Sequence, residues 1–203
     1  MIGNRILGVI LAGGLSRRMG GGDKALLPLA GHRLLDRVVG RLAPQVDALL
    51  LNANGDPQRF GLALPVAADP LPDFPGPLAG LLAGFEHART HAPWARHILT
   101  VSADCPLLPP DLAARLLAEK GEAAAAIAAS GGRDHPVIGL WDVALAPLLR
   151  TLLLDEGERR MRAFTARAGA VSVDWPVEPY DPFLNINTPD DLAAAERLIA
   201  AAG

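Results

Sequence analysis

Hydrophobic positions in the first half of the chain come in short continuous runs, each cut off abruptly by glycine, asparagine, aspartate or proline. Ile6-Leu7-Gly8-Val9-Ile10-Leu11 is apolar without alternation, the pattern of a parallel strand covered on both faces. It gives way to a glycine-rich stretch over residues 13–22. Leu34, Leu35, Val38, Val39 and Leu42 then recur at helical spacing until Pro44, which predicts a helix stopped by proline. Residues 48–51 read as a second strand ending at Asn52-Ala53-Asn54-Gly55, and residues 65–68 as a short third strand closed by Asp69-Pro70. After a proline-rich loop, residues 78–91 read as a helix and residues 97–102 as a fourth strand ending at Asp104-Cys105-Pro106. Pro110 suits the first turn of a helix running to about Glu119. Further strands are expected near residues 123–129, 136–141 and 170–173, and helices near 143–154 and 158–168. The last helix is signed by Thr188 as its cap, Pro189 as its opening residue and Asp191 as the partner in a capping box. Strand–helix alternation predicts an α/β fold with right-handed crossovers and a mostly parallel sheet, helices on both faces. Ligands of such sheets sit beyond the carboxyl ends of the strands, where Gly13, Asn52, Asp69 and Asp104 fall.

Composition narrows the class. The 203 residues suit a single domain over 1–203, half of them hydrophobic and 20% charged, as in a globular chain rather than a disordered one. A net charge of −3 argues against non-specific nucleic-acid binding, which needs a basic face. One cysteine, Cys105, excludes an intramolecular disulfide and a cysteine-built zinc site, and suits a reducing compartment. The first apolar run is far short of the roughly 20 residues that span a membrane. Arg17 and Arg18 follow that run instead of preceding it, so it reads as a strand and not a signal peptide. A cytoplasmic protein without membrane contact is expected.

The strongest local signal is Leu11-Ala12-Gly13-Gly14-Leu15-Ser16-Arg17-Arg18-Met19-Gly20, followed by Asp23-Lys24. Consecutive glycines let backbone N–H groups approach a phosphate chain. Arginine adds a planar fork and lysine a point charge. No glycine directly precedes a lysine, so this is not a Walker A loop, and it lacks the GxGxxG spacing of a dinucleotide site. A flexible surface loop with solvated arginines is the plain alternative. Its exit from a buried strand, with three cations, favours a phosphate site.

LAGG-x-S-x-R-M-G followed by lysine resembles the Rossmann-like nucleotidyltransferases that activate sugars, alditols and pterins. Within that group the chain is most similar to the molybdopterin guanylyltransferases. The resemblance extends through Asn52-Ala53-Asn54, Pro75-Gly76-Pro77-Leu78-Ala79-Gly80, Asp104-Cys105-Pro106, Arg133-Asp134-His135-Pro136, Gly157-Glu158-Arg159-Arg160 and Asn185-Ile186-Asn187-Thr188-Pro189. It implies a Rossmann-like nucleotidyltransferase fold. The implied reaction moves GMP from GTP to the phosphate of molybdopterin, with Mg²⁺ as cofactor and pyrophosphate as the second product. Leu11, Ala12, Gly13, Gly14, Arg18, Lys24, Asn52, Asp69, Gly80 and Asp104 would bind the nucleotide. Lys24 and Asp104 would be catalytic, and Asp104 and Asn187 would hold the metal. Related cytidylyltransferases read LAAG here, and a small residue at Gly14 leaves room for a purine.

Taken alone, several of these residues have plainer readings. Asp104 and Asp69 each precede proline or a turn, and Asn185 and Asn187 are ordinary before a helix. A strand-tip carboxylate nevertheless suits Mg²⁺, which takes one or two protein oxygens plus substrate phosphates. Cys105 reads as a small buried residue. Arg133, His135, Arg159, Arg160 and Arg162 suit a second anionic substrate, Arg162 being the best case for a merely solvated arginine. A phosphate nucleophile is already ionised, so no general base is required, and catalysis should rest on positioning and charge neutralisation. A cytidylyltransferase of the same cofactor or a nucleotide-sugar enzyme would share the loop without the later segments. Lys24 together with Asp104 disfavours a non-catalytic cofactor-delivery protein. The expected partners are the two small molecules and other molybdenum cofactor proteins, the chain being a monomer or weak oligomer.

Overall fold

A computed structural model describes residues 5–13, 23–71 and 76–202. Its centre is a seven-stranded sheet in the order β5-β4-β1-β6-β8-β7-β9. The strands are β1 (Ile6–Leu11), β4 (Ala48–Asn52), β5 (Val66–Ala67), β6 (His97–Ser102), β7 (Ala125–Ser130), β8 (Arg133–Asp142) and β9 (Val171–Trp175). β5, β4, β1 and β6 run parallel, as do β7 and β9. β8 lies antiparallel between β6 and β7. The fold is α/β and Rossmann-like, with a mostly parallel sheet.

Every residue of β1 is buried, and its side chains divide between two cores. Ile6 and Ile10 join the face covered by α1 (Leu34–Leu42) and α3 (Leu112–Glu119). Leu7, Val9 and Leu11 join the face covered by α2 (Pro77–His91), α4 (Ala146–Leu154) and α5 (Met161–Arg167). Burial on both faces explains the continuous rather than alternating apolar run. A third cluster unites Leu29, Leu34, Ile186 and Ala195. It seats α6 (Pro189–Ala202) beside a two-stranded hairpin, β2 (Pro28–Leu29) and β3 (His32–Arg33).

Two expectations need adjustment, and one element was not anticipated. The β2–β3 hairpin was not legible, because two-residue strands have no periodicity to read. Pro110 lies ahead of α3, whose cap is Asp111, so it precedes the helix and does not open it. β8 begins at Arg133 rather than near 136. Ser130-Gly131-Gly132-Arg133 closes a tight hairpin in which Gly131 and Gly132 have φ of 56° and 74°. Both positions favour glycine. The register then shifts, Ala128 facing His135 while Ile127 faces Gly139, so Pro136, Val137 and Ile138 bulge from the ladder.

Candidate active site

β1, β4, β5 and β6 end side by side. Cross-links between their tips set the floor of the site: the Ala12 amide donates to the Asn52 carbonyl at 2.9 Å, and the Ala103 amide to the Leu11 carbonyl at 3.0 Å. Leu11, Ala12, Lys24, Ala25 and Asp104 line one cleft there. Gly13 follows, exposed. Gly14 and Arg18 lie outside the described residues. Because the Ala12 amide is engaged in the sheet, Ala12 would meet a ligand through its other atoms.

Lys24 opens a short 3-10 turn capped by Asp23, whose carboxylate accepts from the Ala25 amide. Arg59 holds the other Asp23 oxygen at 2.9 Å. From this anchored turn the Lys24 ammonium donates to Asp104 Oδ2 at 2.5 Å and to Asn187 Oδ1 at 2.7 Å. The lysine and aspartate side chains retain 12% and 21% exposure, so the pair is reachable yet partly desolvated. Residues 80 and 163 positions apart in sequence thus meet at one cation.

Asn187 reaches this point because the segment before α6 is stitched to the tip of β6. Ile186 is fully buried, and its amide donates to the Asp104 carbonyl at 2.9 Å. On either side of it, Asn185 accepts from the buried Cys105 thiol at 2.7 Å, and Asn187 accepts from Lys24. Burial first, then the Asp104 carboxylate, pushes the Cys105 thiol well above its usual range. Cys105 therefore serves as a protonated donor and not as a nucleophile. The capping box forms as expected: Asp191 accepts from the Thr188 amide at 2.8 Å, and its own amide donates to Thr188 Oγ1 at 3.2 Å.

Asn52 and Asp69 come together at the next strand tips. Asn52, 3% exposed, donates to the Ala67 carbonyl at 3.1 Å and to Asp69 Oδ1 at 2.9 Å. Asn54, a residue the site reading missed, donates to Asp69 Oδ2 at 2.9 Å and accepts from the Asp69 amide at 2.8 Å. Its alternate position in Asn52-Ala53-Asn54 was the available signal. Gly80 is buried on α2 directly against Asn52, and a Cβ there would collide with Asn52 Oδ1 and lie 2.7 Å from Leu11 Cδ2. Gly80 thus lies behind Asn52, where it lets the helix approach that side chain.

Across Asp104 lies a second cavity of about 190 Å³, lined by Asp104, Cys105, Arg133, His135, Pro136 and Asn185 among others. Arg133 also borders a neighbouring cavity with Arg162 and Thr165. Arg162 thus shares a cavity with Arg133. Arg160 instead pairs with Glu158 at 2.7 Å on an exposed surface. His135, half-buried, is held below the usual histidine range chiefly by burial, so it is neutral near pH 7. A larger cavity of about 800 Å³ opens between α2 and α4 near Ala95 and Val143. It lies at the amino end of β6, away from the strand tips where α/β ligands bind.

No cluster of three or more His, Cys, Asp or Glu side chains is placed to hold a metal among the described residues. Asp104 and Asn187 nevertheless present two hard oxygens to one cation, here an ammonium. That donor set fits Mg²⁺, whose remaining positions go to water and phosphate.

Residues 8–171 match the family model described as the MobA-like NTP transferase domain. The chain is 55% identical to a molybdenum cofactor guanylyltransferase of Rhodopseudomonas palustris (strain BisB5), over 94% of this chain and 92% of that one. It is 54% identical to the protein of that name from Bradyrhizobium sp. (strain ORS 278), over 95% and 92% of the two chains. Molybdopterin-guanine dinucleotide biosynthesis protein A from Archaeoglobus fulgidus superposes with a TM-score of 0.74 at 24% identity, covering 96% of this chain and 99% of that one. That last likeness bears on the fold, whereas the family match and the curated relatives place the sequence itself: the chain belongs to the MobA-like NTP transferase family of nucleotidyltransferases.

Proposed function

We propose that the chain transfers GMP from GTP to the phosphate of molybdopterin in the cytoplasm, releasing pyrophosphate, and that it requires Mg²⁺ and acts as one domain over residues 1–203. The observation that carries this reading is the meeting of Lys24, Asp104 and Asn187 at the strand tips, between two cavities. The name borne by the curated relatives supports the choice of substrates.

The reaction brings a phosphate nucleophile to an α-phosphate, anion against anion. Charge neutralisation and alignment are therefore the main tasks. When bound, Mg²⁺ supplies Lewis-acid polarisation of phosphate oxygens and offsets their charge. Asp104 and Asn187 are the residues that would hold it. Lys24 supplies a point charge for the pyrophosphate as it leaves, and in the free protein it neutralises Asp104. Its flexible stem allows the ammonium to exchange the two oxygens for a phosphate chain. Asp104 lines both cavities, so groups bound on either side of it would face each other. Arg133 and His135 offer the second cavity a fixed positive charge and an imidazole for the molybdopterin phosphate. Asn52, Asn54 and Asp69 form a fixed polar cradle at the nucleotide side.

The test is to incubate the protein with molybdopterin, Mg²⁺ and equal concentrations of GTP and CTP. The guanine dinucleotide is expected to dominate. Dominance of the cytosine dinucleotide would reject the guanine assignment, and no dinucleotide at all would reject the transferase reading of the site.

A further inference from the structure

Ser130 ends β7 at the Gly131-Gly132 turn, and it is only 3% exposed. Its single hydroxyl has two partners on different segments: His135 Nε2 at 2.7 Å and Asp181 Oδ1 at 2.9 Å. A serine hydroxyl has one hydrogen to donate, and an ionised carboxylate only accepts. The hydrogen therefore goes to Asp181, and the hydroxyl must accept from His135. That requires a hydrogen on Nε2, which leaves Nδ1 of the neutral ring as an acceptor. Among the described residues, no hydrogen bond to Nδ1 is formed.

The surroundings hold this arrangement. Asp181 Oδ1 also accepts from the Phe183 amide at 2.9 Å. The Phe183 ring lies against His135 with centroids 5.1 Å apart, and it makes a T-shaped pair with Trp175, centroids 5.3 Å apart. His135 borders the cavity that also holds Asp104 and Arg133. The charged groups acting on the imidazole are Asp181, Arg133 and Asp134.

We propose that Ser130 and Asp181 are positioning residues that lock His135 in the Nε2–H tautomer and thereby reserve Nδ1 for the phosphate monoester entering this cavity. The inference rests on the reading that the second substrate binds here. A phosphate monoester has a second pKa of about 6, so near neutral pH a fraction still carries a P–OH. Nδ1 accepts a hydrogen bond from that group. Movement of the one proton from phosphate oxygen to Nδ1 leaves a phosphate dianion and an imidazolium, whose Nδ1–H then donates to the same oxygen. Asp181, through Ser130, faces the positive charge. The opposite tautomer would offer the P–OH no acceptor.

Long-range ¹H–¹⁵N spectra of ¹⁵N-histidine-labelled protein, without substrate, read the tautomer directly, with His135→Gln assigning the signal. The parent is expected to show only the Nε2–H form, and Ser130→Ala and Asp181→Ala a mixture. With GTP saturating, Ser130→Ala should raise the KM for molybdopterin severalfold at pH 6, where the P–OH form is abundant, and little at pH 8, where the phosphate is already ionised, with the KM for GTP unchanged. An Nδ1–H tautomer in the parent, or a tautomer unchanged in Asp181→Ala, would overturn the proposal even if Ser130→Ala did not fold. Because the spectra need no substrate, that failure is distinct from failure of the parent to make any dinucleotide.

Discussion

The Lys24 ammonium is held by Asp104 Oδ2 and Asn187 Oδ1, the two oxygens proposed above for Mg²⁺, and on that reading lysine and metal would compete for them in the free protein. Lys24→Ala is expected to lower turnover by about 10²–10³-fold, the usual loss when one charge-stabilising donor is removed. It should at the same time raise the affinity of the nucleotide-free protein for Mn²⁺, read by electron paramagnetic resonance titration. Equal Mn²⁺ affinity in variant and parent would contradict the competition. At this scale the sequence was partly legible. Lys24 stood out as the cation that follows the glycine-rich stretch and Asp104 as a carboxylate at a strand tip, and Asn187 entered through the family resemblance. Asn54 and Asn185 fell within segments of the resemblance without being assigned a role, and Ser130 and Asp181 gave no signal. Serine, asparagine and aspartate are common in turns for local reasons, and the partners that give Asn54, Asn185, Ser130 and Asp181 their places lie on other segments.

Among the elements, α2 and α6 carry the clearest consequences for the site. Gly80 lets α2 approach Asn52 more closely than any side chain allows. Gly80→Ala is expected to destabilise the fold by about 1–3 kcal/mol through overpacking, and to raise the KM for GTP by displacing Asn52. Thermal melting and initial-rate kinetics separate the two effects. The cap of α6 adds a pH signature. The Asp191 carboxyl is held below its usual range, first by the Asn187 amide. With its folded pKa below the unfolded one, its contribution is present above about pH 4 and is lost as pH falls further. Asp191→Ala should cost about 1 kcal/mol at neutral pH, and the difference in melting temperature from the parent should shrink in acid. Both helices were legible, α2 from its apolar run and α6 from its cap residues. The β2–β3 hairpin was not, although it packs beneath Ile186 and so helps place Asn187.

For the molecule as a whole, the net charge of −3 is compatible with the two anionic substrates proposed, because Lys24 and Arg133 both stand near Asp104. The α/β class and parallel character followed from the order of runs and helical patterns. The strand that departs from it did not. β8 lies antiparallel beside β6, and only that placement brings Arg133 and His135 to the cavity that Asp104 borders. Strand order depends on contacts between distant segments, and local hydrophobic pattern carries no record of them. The proposed reaction requires this edge of the sheet to direct attack at an α-phosphate and not at a γ-phosphate. Parallel reactions with GTP labelled with ³²P at the α or the γ position, in the presence of Mg²⁺ and molybdopterin, test it most directly. The α label is expected in the pterin product and the γ label in pyrophosphate. Label from the γ position in the product, or none from the α position, would contradict it.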